Sequence, residues 1–202
     1  GPQDIHNYIR GHKSSFQRAL EGIELLLSQQ KRPTISVFCV ITEWNTAHLK
    51  EFVDSFAKYP IKQLGFMHTN FTPEPIAAFH NSKWGHIYPA TISNVAETQV
   101  EATNLKELWE QIKAIKKTDY PFPVSFSPEI KTEIDLYKFY FEPEKLIGKR
   151  CNDAFSNIMI KSDGSVIPAH GRCYNLEAGN LYKTNLKEIW NSKILGQFRK
   201  DL

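Results

Sequence analysis

The stretch TISVFCVIT, from Thr34 to Thr42, constrains the fold more than any other part of the chain. It is β-branched and almost continuously apolar, so as a strand it carries hydrophobic side chains on both faces. Strands of that kind belong to parallel sheets covered by helices on each side. Parallel neighbours need helical crossovers, and the flanking sequence supplies them. Residues 14 to 30 place Phe16, Ala19, Leu20, Ile23, Leu26 and Leu27 on one helical stripe, with Ser14 and Gln17 spaced as a capping box and Pro33 beyond the end. Asn45 and Thr46 can cap a helix whose inner face is Leu49, Phe52, Val53 and Phe56. A second strand follows at IKQLGFMHT, Ile61 to Thr69. Leu105, Leu108, Trp109, Ile112 and Ile115 then line a helix starting near Thr103 or Asn104, and FPVSFSP, Phe122 to Pro128, reads as a third short strand. Between these, residues 71 to 100 have weak periodicity and are interrupted by Pro73, Pro75 and Pro89, which predicts a long loop region. The alternation specifies an α/β fold.

The pattern changes after about residue 130. EIDLYKFYFEPEKLIGKR is an amphipathic connector, and FSNIMIKSDGSVIPA reads as two strands joined by a turn at Ser162-Asp163-Gly164. Asn185 with Glu188 again has capping-box spacing, ahead of a helical stretch whose face is Leu186, Ile189, Trp190, Ile194 and Phe198. The expected organisation is 1–130 as the α/β part, 131–150 as connector and 151–202 as a small hairpin–helix extension.

Charge excludes some functions. The net charge is +3 with both signs mixed along the chain, so there is no basic block for nucleic acid or a membrane surface. No apolar run approaches the ~18 residues needed to span a bilayer. The opening Gly-Pro-Gln-Asp lacks the basic and apolar regions of a signal peptide. Three cysteines are too few, and odd in number, for a disulfide scaffold, which points to a reducing, cytoplasmic setting.

The residues that can carry chemistry are few. There is no Gly-rich phosphate loop, no HExxH and no GxSxG. His6, His12, His48 and His86 read as surface or capping residues, and Cys39 as a small core residue. His68 lies at the end of the second strand and Asn70 just beyond it, at the carboxyl end where parallel sheets hold their ligands. Cys151, His170 and Cys173 offer two thiolates and an imidazole, donors suited to zinc or an iron–sulfur centre. They lack the paired four-ligand spacing of a structural zinc site, and packing of the hairpin is the plain alternative.

In order, Cys151, Phe155, the Asp163-Gly164 turn, Pro168, Gly179-Asn180, Glu188-Ile189-Trp190-Asn191 and Phe198-Arg199 resemble the SPASM or twitch-type extension of radical S-adenosylmethionine (SAM) enzymes. GPQDIHNYIRG, Gly1 to Gly11, is similar to the stretch after the third barrel strand of those enzymes. VITEWN, Val40 to Asn45, is similar to the end of the fourth strand and the start of its helix. The likeness implies a fold: the second half of a partial (β/α)6 radical SAM barrel, with a β-hairpin/helix extension. It also implies a function, in which a parent enzyme with SAM and a 4Fe-4S cluster generates a radical that acts on a peptide or carbohydrate. Asn45, His68, Asn70 and Ser127 would then line the SAM and substrate pocket, and Arg10 would line it or form a structural ion pair. The family's CxxxCxxC loop and Gly-Gly-Glu segment are absent from this chain, and Ala169 stands where the extension often carries Cys. The resemblance therefore implies a carboxyl-terminal half with these expected properties: no cofactor held alone, a missing amino-terminal half as partner, and self-association through the free edge of the Thr34–Thr42 strand. A non-catalytic peptide- or protein-binding module on the same scaffold is the alternative, and a zinc-binding hairpin domain a third.

Overall fold

The computed structural model describes residues 1–92, 99–148, 152–168 and 176–202. In chain order its elements are α1 (Gln3–Arg10), α2 (Ser15–Leu27), β1 (Ser36–Val40), α3 (Leu49–Phe56), β2 (Gln63–Met67), α4 (Glu74–Trp84), α5 (Leu105–Lys116) and β3 (Val124–Ser127). They continue with α6 (Glu133–Phe141), α7 (Asp153–Ser156), β4 (Ile158–Ile160), β5 (Ser165–Pro168), β6 (Gly179–Asn180), α8 (Leu186–Trp190) and α9 (Lys193–Asp201). The chain divides into two compact units, 1–69 with 98–148 and 70–97 with 149–202.

The first unit is built on a parallel sheet in the order β1-β2-β3, the α/β alternation expected from the sequence. The register fixes what each face presents. Cys39, Phe66 and Phe126 align across the three strands on the covered face, where Phe66 stacks on Phe126 at 5.1 Å and meets Phe52 edge-on at 6.1 Å. Helices α3 and α5 cover this face with Leu49, Phe52, Val53, Phe56, Leu108, Ile112 and Ile115, all buried. The opposite face carries Phe38, Gly65 and Ser125 in one row and Val40, Met67 and Ser127 in the next. It stays open: Phe38, Val40 and Met67 are 59%, 45% and 41% exposed. The Phe38 ring lies over Gly65, where a Cβ would come within 2.7 Å of it.

Two local expectations are corrected in the details. Ser14 does not cap α2 with its side chain. Instead Asn7 accepts from the Phe16 N–H (2.9 Å) and donates to the Lys13 carbonyl (2.7 Å), tying α1 to α2. Within the predicted loop of 71–100, residues Glu74–Trp84 form α4. Pro73 sits at its N-cap and Pro75 in its first turn, where a missing N–H costs nothing because those N–H groups have no helical partner. Only Ala77 of that helix is buried, which explains the weak periodicity.

The second unit contains the hairpin. β4 pairs antiparallel with β5, and β5 with β6. The turn at Gly164 has φ +80°, and a Cβ there would lie within 2.8 Å of Tyr182 and Asn180, so glycine is required. Val166, Ala178, Ile189 and Leu195 form one core, and Tyr88, Ala154 and Phe198 another. Asn185 caps α8 by accepting from the Glu188 N–H (3.0 Å), and Ser192 caps α9 by accepting from Leu195 (3.3 Å). That second cap breaks the expected single helix and shifts its phase. Leu195 is therefore fully buried, and Ile194 is 47% exposed.

Candidate functional site

The ends of the three parallel strands are drawn together by main-chain bonds. Ile41 N–H donates to Met67 O (2.8 Å), and His68 N–H donates to Ser127 O (3.0 Å). The Thr69 hydroxyl reaches back to the Ile41 carbonyl. This places the segments after β1, β2 and β3 on one carboxyl rim, the usual ligand side of such sheets.

Each predicted pocket residue has a definite place. Asn45 is buried, and its side chain is committed to the turn: its oxygen accepts from Thr42 N–H (2.9 Å), and its amide donates to Val40 O (2.8 Å). His68 is 1% exposed and continues the alternation of Leu64 and Phe66, so it lies on the covered face beneath α6. Its Nδ1 is 3.0 Å from the Tyr140 hydroxyl, and Phe139 packs on the ring at 5.3 Å. His68 Nδ1 and the Tyr140 hydroxyl share one hydrogen bond, whose direction follows the ring tautomer. Nε2 has no partner among the described residues. Burial holds the imidazole neutral, with its pKa lowered to about 4, and pushes the Tyr140 phenol up. Ser127 is exposed on the open face, in line with Val40 and Met67. Asn70 is exposed and belongs to the second unit. Main-chain bonding thus brings His68 and Ser127 together, but their side chains face opposite sides of the sheet.

Two rim residues escaped the sequence reading. Thr42 Oγ1 and Glu43 Oε1 are buried with no hydrogen-bond partner among the described residues, and buried polar atoms are rarely left so. Both lie in VITEWN, directly after β1. The strand-end rule that singled out His68 would have found them.

The proposed metal ligands Cys151, His170 and Cys173 lie outside the described residues. Among the described residues no group of three or more His, Cys, Asp or Glu is placed to hold a metal. Cys39, the remaining cysteine, is buried in β1, where burial raises its pKa. The motif residues around the hairpin have structural work of their own. Arg199 donates to the carbonyls of Ala154 and Trp190 (both 2.9 Å) and lies 4.2 Å over the Trp190 ring. Among the described residues no helix is long and apolar enough to cross a membrane.

No match to a curated protein or to a solved structure was found. Residues 151–202, the segment beginning at the hairpin module, match the family model of the SPASM iron-sulfur cluster-binding domain. The match covers about a quarter of the chain and supports a SPASM-containing radical SAM family for it.

Proposed function

We propose that this chain supplies the later strands of the partial (β/α)6 barrel of a radical SAM enzyme, together with its extension. The carrying observation is the SPASM match at 151–202 placed after a parallel β-α-β-α-β unit. In this reading the carboxyl rim and the open sheet face line the pocket for SAM and a peptide or carbohydrate substrate. Ser127 contributes from its exposed position, Thr42 and Glu43 offer the unpartnered oxygens, and Asn45 and His68 hold the rim in shape. SAM and a 4Fe-4S cluster, bound in the parent protein, supply the radical chemistry; this half binds, orients and excludes water. The missing amino-terminal half of the barrel is its partner, and the setting is cytoplasmic.

Residues 151–202 by themselves do not supply the full donor set of a second cluster. Residues 151–202 contain two cysteines, Cys151 and Cys173, and His170, whereas such clusters are held by four thiolates. That shortfall favours one other reading, a non-catalytic module that kept the scaffold to bind a peptide or protein. The test is to read the gene upstream of Gly1. A CxxxCxxC segment in the same frame supports the enzyme, and an upstream frame without one supports the module.

A further inference from the structure

Folding gathers charge that the sequence scatters. Each parallel strand of the first unit is entered from a helix through a short connection: 28–35 leads from α2 to β1, 57–62 from α3 to β2 and 117–123 from α5 to β3. Parallel strands begin at the same end of their sheet, so the three connections meet at its amino rim, opposite the carboxyl rim described above. Main-chain bonds hold them side by side: Lys62 N–H donates to Ile35 O (2.7 Å), and Leu64 N–H donates to Pro123 O (3.0 Å). They carry five cations, Lys31, Arg32, Lys58, Lys62 and Lys117, against one acid, Asp119. All five cations are exposed, and none forms an ion pair among the described residues. The acids in the adjoining last turns of α2 and α3 are engaged. Glu24 accepts from the Tyr59 hydroxyl (2.8 Å), and Asp54 accepts from Lys50 Nζ (2.8 Å) and the Tyr120 hydroxyl (2.9 Å). Pro33, Pro60, Pro121 and Pro123 stiffen the three connections.

We infer that this amino rim docks an acidic polypeptide segment of a partner protein. Adjacent strands lie ~4.8 Å apart, so the three connections present their cations across ~10 Å, a width that a few carboxylates of one peptide segment span. Connections already held stiff by proline lose little freedom on binding. Nucleic acid is the poorer fit, because none of the aromatic rings in these connections is free to stack on a base. Tyr59 and Phe122 are buried, and Tyr120 stacks on Phe122 at 6.1 Å. The inference goes beyond the proposed function and does not depend on it, since it concerns the end of the sheet away from the proposed SAM pocket.

The probe is a short acetylated peptide amide repeating Asp-Glu-Leu, titrated into the 15N-labelled chain, with a repeat of Asn-Gln-Leu as its uncharged control. The amides of Arg32, Lys58, Lys62 and Lys117 should shift, while those of Thr42, His68 and Ser127 at the other rim should not. Raising the salt from ~0.01 M to ~0.1 M shortens the screening length from ~30 Å to ~10 Å and should weaken binding about tenfold. Lys58→Glu combined with Lys62→Glu should also weaken it about tenfold. Lys131→Glu combined with Lys200→Glu makes the same change in net charge at exposed sites elsewhere and should leave binding within about twofold. Equal binding by the uncharged peptide, equal loss in the two double variants, or shifts confined to other residues overturns the inference. So does tighter binding, at the same salt, of an oligonucleotide or an anionic phospholipid vesicle to the same residues. An acidic peptide that docks on the amino rim while the full polypeptide fails to cleave SAM would refute the proposed function and leave the docking site standing.

Discussion

Acidification should destabilise the first unit through His68. In the fold burial lowers its pKa from 6.5 to about 4, while in the unfolded chain it returns to 6.5. Above pH 6.5 the residue is neutral in both states and contributes nothing to the pH dependence. As pH falls below 6.5 the unfolded state takes up a proton that the folded state refuses, so stability is lost down to about pH 4 and the loss then levels off. At about 1.36 kcal/mol per pKa unit the full loss is about 3 kcal/mol, a large share of a typical ~5–15 kcal/mol. Urea unfolding at a series of pH values, on wild type and His68→Gln, isolates this contribution, because the other histidines titrate in both. The wild-type curve should fall about 3 kcal/mol further than the variant between pH 6.5 and 4. Parallel curves, or an NMR titration of His68 near 6.5 in the folded protein, would refute the reasoning.

Other residues give sharper local tests. Tyr140→Phe leaves His68 Nδ1 without its partner and should cost about 1–3 kcal/mol in chemical denaturation. Phe198→Ala empties the centre of the Tyr88–Ala154–Phe198 cluster and should cost about 3–5 kcal/mol by thermal unfolding, whereas Ile194→Ala on the exposed side should be nearly neutral. Because residues 151–202 offer two thiolates, protein purified without a metal-affinity tag should carry substoichiometric iron and zinc by elemental analysis. One tightly held metal per chain, lost in Cys151→Ser, would show that further ligands converge there.

The sequence made the sheet legible because its strands are short, apolar and separated by strongly periodic helices: Thr34–Thr42 narrows to Ser36–Val40, and Ile61–Thr69 to Gln63–Met67. It hid α4, since that helix begins with prolines and buries almost nothing, leaving no stripe to detect. The hairpin announced itself through Asp163-Gly164, a turn that only glycine fits. The site was half legible. Position along a strand places a residue on the rim, but the period of two also decides its face, and that separates His68 on the covered side from Ser127 on the open one. Asn45 shows the other limit: its groups are spent on the turn, a fact visible only in the hydrogen bonds.

The most direct test is reductive SAM cleavage by the polypeptide that the full reading frame encodes, compared with this chain alone. Each is reconstituted anaerobically with iron and sulfide, given dithionite and SAM, and assayed for 5′-deoxyadenosine. The account predicts product from the full polypeptide, a marked loss with Glu43→Gln at the rim, and none above the no-protein control from this chain, which lacks the three-cysteine loop. Product from this chain by itself, or none from a full polypeptide that carries CxxxCxxC, would contradict it.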